Sequence, residues 1–350
     1  MKKKQKIIKK LKRQKVDEKP TVVTQKNIEE SREEVLANGK KFRYPFQYAK
    51  HRLVINTILI AVVALVAFVV VGYLQLYKFG STSEVAYRFT NVLGLPVANI
   101  DGQKVRYGDY LMLYRSSVAS IEYQSGKFDD SEDAQSQLSH YRRQAMNEAE
   151  DYSYVLQKAE ELGVTASDEE IDALIEEHKT INGERRSDEA FEGIVRDNFG
   201  LTMRDYRRLV MLSLTKRKVA EAVDGEAKEL SKKIYEKLKA NGGDFADVAE
   251  GYADNRLVGY EKTDSMVSVS NLDSGRAERA AQLKNVGDIS EVFVSKNGDG
   301  YYIVKLLKKS DGKVSYESLW IRFAQLESDL QKLRDEGKVH EYIEIEDKKE

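Results

Sequence analysis

Residues 298–307, GDGYYIVKLL, combine a tight turn with a run of strand-forming residues, and this pattern determines how the C-terminal part of the chain can fold. The turn Asn297-Gly298-Asp299-Gly300 is rich in residues that favour chain reversal, and branched and aromatic side chains follow it. A second apolar run, ISEVFVSK, lies just upstream at 289–296. The sequence therefore predicts two strands around a turn, with Tyr301 and Tyr302 as candidates for either chemistry or packing.

The composition of the whole chain limits the functions that it can perform. Its 350 residues are 41% hydrophobic and 33% charged, which favours two or three domains with small cores. There is no cysteine, so disulfides, thiol nucleophiles and Cys-based metal sites are excluded. The histidines are scattered, and no phosphate-binding loop or serine hydrolase motif is present. We therefore expect no metal at His51, His140, His178 or His340, and no other cofactor.

Residues 53–74, LVINTILIAVVALVAFVVVGYL, form an uncharged run that predicts a membrane-spanning helix. At about 1.5 Å per residue, a helix of this length crosses a hydrocarbon core about 30 Å thick. The excess of Lys and Arg upstream predicts that the N-terminus is cytoplasmic. A cleaved signal is the alternative, but its apolar region is shorter, about 7 to 15 residues. We expect a single-pass plasma-membrane protein whose C-terminal domains are extracytoplasmic.

The N-terminal segment, residues 1–52, begins with the basic stretch MKKKQKIIKKLKRQK. Such a cluster can bind anionic lipid or nucleic acid. A polar, Lys-rich segment with few apolar residues is more typical of a disordered tail that fixes membrane topology. We therefore predict that this opening stretch is a disordered part of the cytoplasmic tail, and we expect no nucleic-acid partner.

Residues 84–223 are dominated by helical patterns. Asp101-Gly102 joins two short alternating segments, as in a type I′ hairpin, and Asp109 is expected to cap the helix that follows. A long helix with an apolar stripe is predicted from about Glu132 to Leu162. Further helix N-caps are expected at Ser167, Ser187 and Thr202, the first of them in a capping box. The pattern predicts a helical module with one small hairpin.

Three stretches of this module carry a family resemblance: VANIDGQKVRYGDYL at 97–111, QKAEELGVTASDEEID at 157–172 and FGLTMRDYRRLVMLSLTKRKV at 199–219. In this order they resemble the N-terminal domain of the bacterial SurA chaperones and of their membrane-anchored relatives of the PpiD and PrsA type. The resemblance covers most of residues 95–223. It implies a domain that holds unfolded or nascent exported polypeptides in an apolar groove between helices.

The region downstream resembles a parvulin-type (PpiC) prolyl isomerase domain over about residues 226–307. The stretch GGDFADVAEGYADN at 242–255 is similar to the family's helix start, and LKNVGDISEVFVSKNGDGYYIVKLLKK at 283–309 is similar to its "L-x-x-G-x-I-S" turn and closing strand. Parvulins place two histidines at the floor of the site, beside a Cys or Asp and a Thr or Ser, with a Met and a Phe at the rim. The resemblance therefore implies where such a site would lie in this chain.

Most positions of the implied site carry a different residue type from the one that the family uses. The matching positions are Tyr302 for the closing-strand histidine, Ser295 for the hydroxyl, Asn255 or Asp254 for the Cys or Asp, and Met266 for the methionine. Arg276 or Ala277 stands where the rim aromatic is expected. Without a histidine pair and with an opened pocket, no catalytic residues are expected, and Tyr301 and Tyr302 are predicted to pack.

The family's first strand is missing from its usual place, because a helix from about Glu226 follows the preceding helix almost directly. The stretch KVSYESLWIRFAQ, residues 313–325, has the alternation and spacing of that strand, with Ser318 where its histidine would stand. We expect it to pair with residues 300–307 and to fill the central position from the C-terminal side. The sheet would then be permuted.

The C-terminal segment is predicted to return to the first domain. Residues 324–338 form an amphipathic pattern with Leu326, Leu330 and Leu333 on one face, and VHEYIEI alternates after it. As in the chaperones that the chain resembles, the strand near 342–345 is expected to pair with the hairpin at 97–106. The parvulin-like module would then be an insertion within one continuous unit.

Together these features predict an α+β protein with a single transmembrane helix, a mainly helical SurA-like domain and a parvulin-like α+β domain. The predicted divisions are a cytoplasmic tail at 1–52, the membrane helix at 53–74, the SurA-like domain at 84–223 completed by 324–346, and the degenerate parvulin-like domain at 224–323. The expected function is that of a membrane-anchored chaperone or foldase for exported proteins. An active prolyl isomerase and an envelope scaffold with one fixed partner are the alternatives, and the oligomeric state is open.

Overall fold

The computed structural model describes residues 24–43, 52–181 and 184–345 of the chain. Its contacts separate two units, Met1–Gly72 and Tyr73–Glu350. The second unit combines a mainly helical first part with antiparallel sheets, so the fold is α+β, as the sequence predicts.

The predicted apolar helix begins in the first unit, and its last residues, from Tyr73, belong to the second. Helix α2 (Arg52–Tyr73) continues into a wider π-helical segment, Leu74–Lys78. Within the described part of the chain, Val54–Lys78 is the one helix that is long and apolar enough to cross a membrane. It extends beyond the predicted end at Leu74.

Part of the predicted cytoplasmic tail at 1–52 is helical. Residues Gln25–Arg43 form helix α1, whose first turn bonds to the carbonyl oxygen of Thr24. The stretch contains four glutamates with strong helix propensity, and it has no proline. The basic stretch at 1–15 lies outside the described residues.

The first part of the second unit carries one small sheet among helices. The hairpin strands are β1 (Pro96–Ile100) and β2 (Gln103–Arg106), joined by Asp101 and Gly102 with φ of 48° and 89°. Positive φ at both positions is the geometry of the predicted type I′ turn. The helices are α3 (Glu84–Leu93), α4 (Tyr107–Ser125), α5 (Glu132–Leu162), α6 (Asp168–His178), α7 (Asp188–Phe199) and α8 (Met203–Val223), with a short strand pair β3 (Thr180–Ile181) and β4 (Glu184–Arg185) after α6.

The predicted helix starts follow from local capping. The side chains of Ser167, Ser187 and Thr202 each accept a backbone N–H bond at the start of a helix, and Ser167 with Glu170 forms the full capping box. The cap expected at Asp109 is wrong, because α4 begins at Tyr107. Asp109 lies in the first turn instead, where its carboxylate accepts bonds of 2.5 and 2.6 Å from Arg208.

The C-terminal segment returns to the helical module at 84–223, as predicted, but its strand lies earlier in the sequence than expected. Helix α12 (Gln325–Asp335) buries Leu326, Leu330 and Leu333, and strand β10 (Val339–Glu341) pairs with β1. The strand expected at 342–345 is not formed; the paired residues are Val339, His340 and Glu341 instead. One further bond, from Tyr342 N to Val97 O, closes the pairing.

The region after α8 forms a second sheet that contains the predicted permuted strand. The elements of this region are α9 (Gly225–Ala240), α10 (Phe245–Glu250), β5 (Val258–Lys262), β6 (Val267–Ser268), α11 (Arg276–Gln282), β7 (Phe293–Val294), β8 (Gly300–Ser310) and β9 (Lys313–Arg322). The strand order is β5-β9-β8-β7, and β6 also pairs with β9. Strand β9 is therefore central and pairs with β8, which confirms the prediction.

The two faces of this sheet pack against different helices. Tyr301, Ile303 and Leu319 lie in a core with α9 and α10, and Tyr301 contacts Phe323 edge-on at 5.0 Å. On the other face, a smaller core joins side chains of β8 and β9 to α11. Because successive strand residues point to opposite faces, Tyr302 belongs to the α11 side. The two adjacent tyrosines therefore have different surroundings.

Candidate functional site

The implied site lies on the α11 face of the second sheet, around Tyr302. Tyr302 and Trp320 are directly opposed in the β8–β9 ladder, and their rings stack with centroids 6.2 Å apart at 21°. The Tyr302 hydroxyl donates to Asp299 Oδ2 at 3.2 Å. The position that matches the family's closing-strand histidine thus holds a packed tyrosine whose hydroxyl has an acceptor within the protein.

A glycine on the neighbouring strand determines where Trp320 can lie. Gly259 of β5 is opposite Trp320, and a Cβ added at Gly259 would overlap the indole ring. The absence of a side chain at this position lets the indole lie across the strand. Gly259 therefore helps to create the aromatic surface beside Tyr302.

The first helical residue of α11 fills the space in front of these rings. The guanidinium carbon of Arg276 lies 5.8 Å from the ring centre of Tyr302 and 5.9 Å from those of Tyr316 and Trp320. A cation within about 6 Å of an aromatic face is attracted by the quadrupole of the ring. We call Arg276, Tyr302, Tyr316 and Trp320 the arginine–aromatic cluster.

Arg276 is also held by polar partners on three sides. Its Nη1 pairs with Glu261 and lies 3.4 Å from Ser318 Oγ, while its Nε donates to Asp273 O at 2.9 Å. Burial acts to lower the pKa of the guanidinium, but Glu261, Tyr316 and Asp273 outweigh it, so the net direction is upward. The cation is therefore fixed in the cluster at physiological pH.

Three hydroxyl groups near the cluster donate to carboxylates. Tyr316 donates to Asp273 Oδ2 at 2.6 Å, and Ser295 donates to Asp299, the residue that also accepts from Tyr302. Burial, followed by the charge of Asp299, raises the pKa of Tyr302 to about 12. Burial likewise raises the pKa of Tyr316. Both phenols are therefore neutral donors whose protons point to fixed acceptors.

Ser295 has a structural role in the turn before β8. It is fully buried, and the backbone N–H of Asp299 donates to its Oγ at 3.0 Å while its own hydroxyl bonds to the Asp299 side chain. This arrangement closes the turn that the sequence pattern predicts. The hydroxyl is not available to a bound peptide.

Ser318 is the one implied position, besides Tyr302, that the structure brings to Arg276. It is fully buried on β9, opposite Val304, and lies on the same face as Trp320 two residues along. The permuted strand therefore brings Ser318, the residue expected at the position of the first-strand histidine, next to Arg276. Its side chain contacts Arg276 rather than open space.

Asn255 and Met266 lie outside strands β8 and β9. The Asn255 side chain accepts from Leu257 N at 2.9 Å in the loop before β5, and with Asp254 it lines a shallow surface depression of about 470 Å³. Met266 is half-buried next to Val267, which pairs with Val314. Val314 is two residues from Tyr316 along β9, a distance of about 7 Å, so Met266 lies toward the Tyr316 end of the cluster.

Most residues of the cluster are not predicted from the sequence. Arg276 is expected only as a departure from the family pattern, and no role is predicted for Tyr316, Trp320, Asp273 or Glu261. One signal was available, because Tyr316, Ser318 and Trp320 recur at every second position and must share a face of β9. The direction in which the Arg276 side chain points depends on how α11 packs against the sheet, and the local sequence does not specify this packing.

The arrangement therefore favours packing of the rings against the guanidinium of Arg276 over rotation of a bound X-Pro peptide bond. A prolyl isomerase must favour a twisted amide over both planar forms, and this requires polar groups that are free to bind it. Here the guanidinium occupies the aromatic face, and the hydroxyls of Tyr302, Tyr316 and Ser295 donate to carboxylates.

Comparison with known families gives two matches along the chain. A model of the SurA-like N-terminal domain matches residues 46–220, and a model of the PPIC-type PPIase domain matches residues 210–308. The second match ends before β9, the strand that completes the sheet from the C-terminal side. No curated protein matches the chain significantly.

Proposed function

Because the chain belongs to the family of proteins with a SurA-like N-terminal domain, we propose that it is a membrane-anchored extracytoplasmic chaperone that assists the folding of exported proteins. The two matched domains place it among chaperone and prolyl-isomerase family proteins. The proposed domains are the tail at 1–52, the membrane helix at 53–74, the chaperone domain at 84–223 with 324–346, and the parvulin-like domain at 224–323.

We further propose that the parvulin-like domain binds without catalysing isomerisation. The observation that carries this proposal is the position of Arg276, whose guanidinium lies against three aromatic rings and pairs with Glu261. Rotation about a peptide bond has a barrier of about 18–20 kcal/mol, and lowering it requires groups that bind the twisted amide. In this domain the side chain of Arg276 occupies the space in front of the aromatic rings, where a bound peptide would lie.

The proposed topology has a cytoplasmic N-terminus and an extracytoplasmic C-terminal region. It is supported by the helix Val54–Lys78 and by the basic residues that precede it, including Lys50 and Arg52. Protease added to intact spheroplasts should degrade the region after Lys78 and leave a protected fragment that contains the apolar helix. Protection of the whole chain in intact spheroplasts would refute this topology.

The chaperone role predicts contacts with many clients. Tyr123, at the end of α4, is 62% exposed and suits a photoreactive amino acid on the helical domain, while Leu272 is fully exposed on the parvulin-like domain and serves as the control. In cells, light should link position 123 to many exported polypeptides and position 272 to far fewer. A single dominant product at position 123 would instead indicate a scaffold with one fixed partner.

A further inference from the structure

Helix α3 (Glu84–Leu93) presents an apolar face that the core of the helical module does not use. Val85, Val92 and Leu93 are 77%, 85% and 54% exposed. Val85 and Val92 are seven residues apart and therefore lie on one stripe of the helix, together with Phe89. The opposite side, with Ala86 and Thr90, is buried in the module.

This face lies close in the chain to the end of the candidate membrane helix. The apolar helix ends at Lys78 and α3 begins at Glu84, so only residues 79–83 connect them. Five residues span at most about 18 Å even when fully extended. Helix α3 therefore lies near the boundary between membrane and water wherever that apolar helix is inserted.

The connection is also fixed to the module rather than loose. Tyr107 donates from its hydroxyl to Leu76 O at 2.8 Å, and Tyr77 donates to Pro96 O at 2.8 Å. Ser81 N donates to Gln75 O at 2.9 Å. These bonds join the end of the apolar helix to the start of β1 and α4, so the position of α3 follows that of Leu74–Lys78.

The side chains around this connection suit a lipid surface. Tyr73 and Phe79 are 61% and 64% exposed, and aromatic residues are enriched where the hydrocarbon core meets the headgroups. Lys78 and Arg88 are exposed cations that can approach anionic headgroups. An amphipathic helix with this character lies in the interface with its apolar face toward the acyl chains.

We propose that α3 lies on the surface of the membrane that holds the anchor, with Val85, Val92 and Leu93 inserted among the lipids. This inference rests on the proposed membrane anchor. A lipid surface is favoured over a second copy or a client, because the short connection keeps the membrane beside α3 at all times. Docking would also fix the orientation of the whole second unit relative to the membrane.

Fluorescence quenching in the full-length protein tests this proposal. The chain has no cysteine, so Val92→Cys and, separately, Val85→Cys can each carry a single NBD label. The proteins are placed in vesicles of phosphatidylcholine and phosphatidylglycerol that contain lipids with doxyl groups on the acyl chains. Val63→Cys in the apolar helix reports insertion of the anchor, and Leu272→Cys, at a fully exposed leucine, is the control for a side chain in water.

We expect strong quenching at positions 63, 85 and 92, and little at position 272. Quenching at 63 with values at 85 and 92 equal to that at 272 would overturn the docking of α3 and leave the anchor intact. Absence of quenching at 63 would refute the anchor and the docking with it. The labels at 85 and 92 could instead be shielded from water only at high protein density, with Val92→Cys disulfides between copies. That result would assign the face to a second copy and overturn the proposal.

Discussion

The guanidinium carbon of Arg276 lies 5.9 Å from the ring centre of Trp320, the one tryptophan of the chain. Intrinsic tryptophan fluorescence therefore reports directly on the arginine–aromatic cluster. The same arginine pairs with Glu261, so cation–aromatic attraction and an ion pair hold one side chain. Arg276 stands where the parvulin pattern has a rim aromatic, and the emission of Trp320 therefore reports on this difference from the family.

Replacement of Arg276 by alanine should destabilise the parvulin-like domain by about 2 kcal/mol, because stem packing and cation–aromatic attraction are lost together. The Trp320 emission should shift to longer wavelength as water reaches the indole. Urea unfolding followed by tryptophan fluorescence measures both changes. Arg279→Ala is the matched control: Arg279 is exposed and lies over one ring, Phe293, at 4.8 Å, so about 0.5 kcal/mol is expected. Equal effects of the two variants would contradict the account.

Gly259→Ala should displace Trp320, because the added methyl group would overlap the indole. We expect a loss of about 1–3 kcal/mol in the free energy of unfolding and an altered emission spectrum. Gly225→Ala is the control, since an added Cβ there meets no atom within 4 Å. A native spectrum and an unchanged unfolding midpoint for Gly259→Ala would show that the indole does not lie across β5.

Stability should fall as pH rises from about 4.5 to about 7, because of Glu150. This residue is 1% exposed, its Oε1 has no hydrogen-bond partner, and burial, with the charge of Glu341, raises its pKa from 4.5 to about 7 despite Arg334. The native state keeps a proton that the unfolded chain releases in this range, so the folded form loses stability as pH increases. The expected contribution is about 3 kcal/mol.

Glu150→Gln should remove that part of the pH dependence and stabilise the protein at pH 8. Thermal unfolding between pH 4.5 and 8 measures the slope. Glu160→Gln, on the exposed side of the same helix, should leave the slope unchanged. A slope that persists in Glu150→Gln would assign the effect to other groups.

Leu330→Ala should destabilise the SurA-like domain although Leu330 lies at the far end of the sequence. Leu330 is 3% exposed, and its helix α12 precedes the strand that pairs with β1. Removal of a buried leucine side chain costs about 2–5 kcal/mol. Hydrogen exchange of the Ala98 and Ile100 amides should accelerate in this variant, but not in Gln331→Ala, where the side chain is exposed. Unchanged exchange in β1 would show that the C-terminal segment does not complete the first domain.

The sequence predicts those parts of the fold that depend on local patterns. Alternation predicts β9 as a strand, and the capping residues Ser167, Ser187 and Thr202 predict where three helices begin. Strand bounds that depend on long-range pairing are predicted less accurately, as for β10, whose partner β1 lies more than 200 residues away. The side-chain partners of Asp109 are likewise tertiary, since Arg208 belongs to another helix.

The candidate site is less predictable than the fold for the same reason. The face shared by Tyr316, Ser318 and Trp320 follows from the period of a strand. The position of Arg276 follows from how α11 packs on that face and from Glu261 on a different strand. Family positions such as Asn255 and Met266 are defined by order along the chain, whereas this chain builds its central strand from a later segment.

The most direct test of the central claim is the rate of cis–trans isomerisation of a short X-Pro peptide in the presence of the full-length protein. We expect the uncatalysed rate for the wild-type protein and for Tyr302→Phe, while an active parvulin in the same assay accelerates the reaction. The preparation should at the same time suppress aggregation of an unfolded client, which shows that the protein is folded. A clear acceleration by the wild-type protein that is lost in Tyr302→Phe would contradict the claim that this domain binds without catalysis.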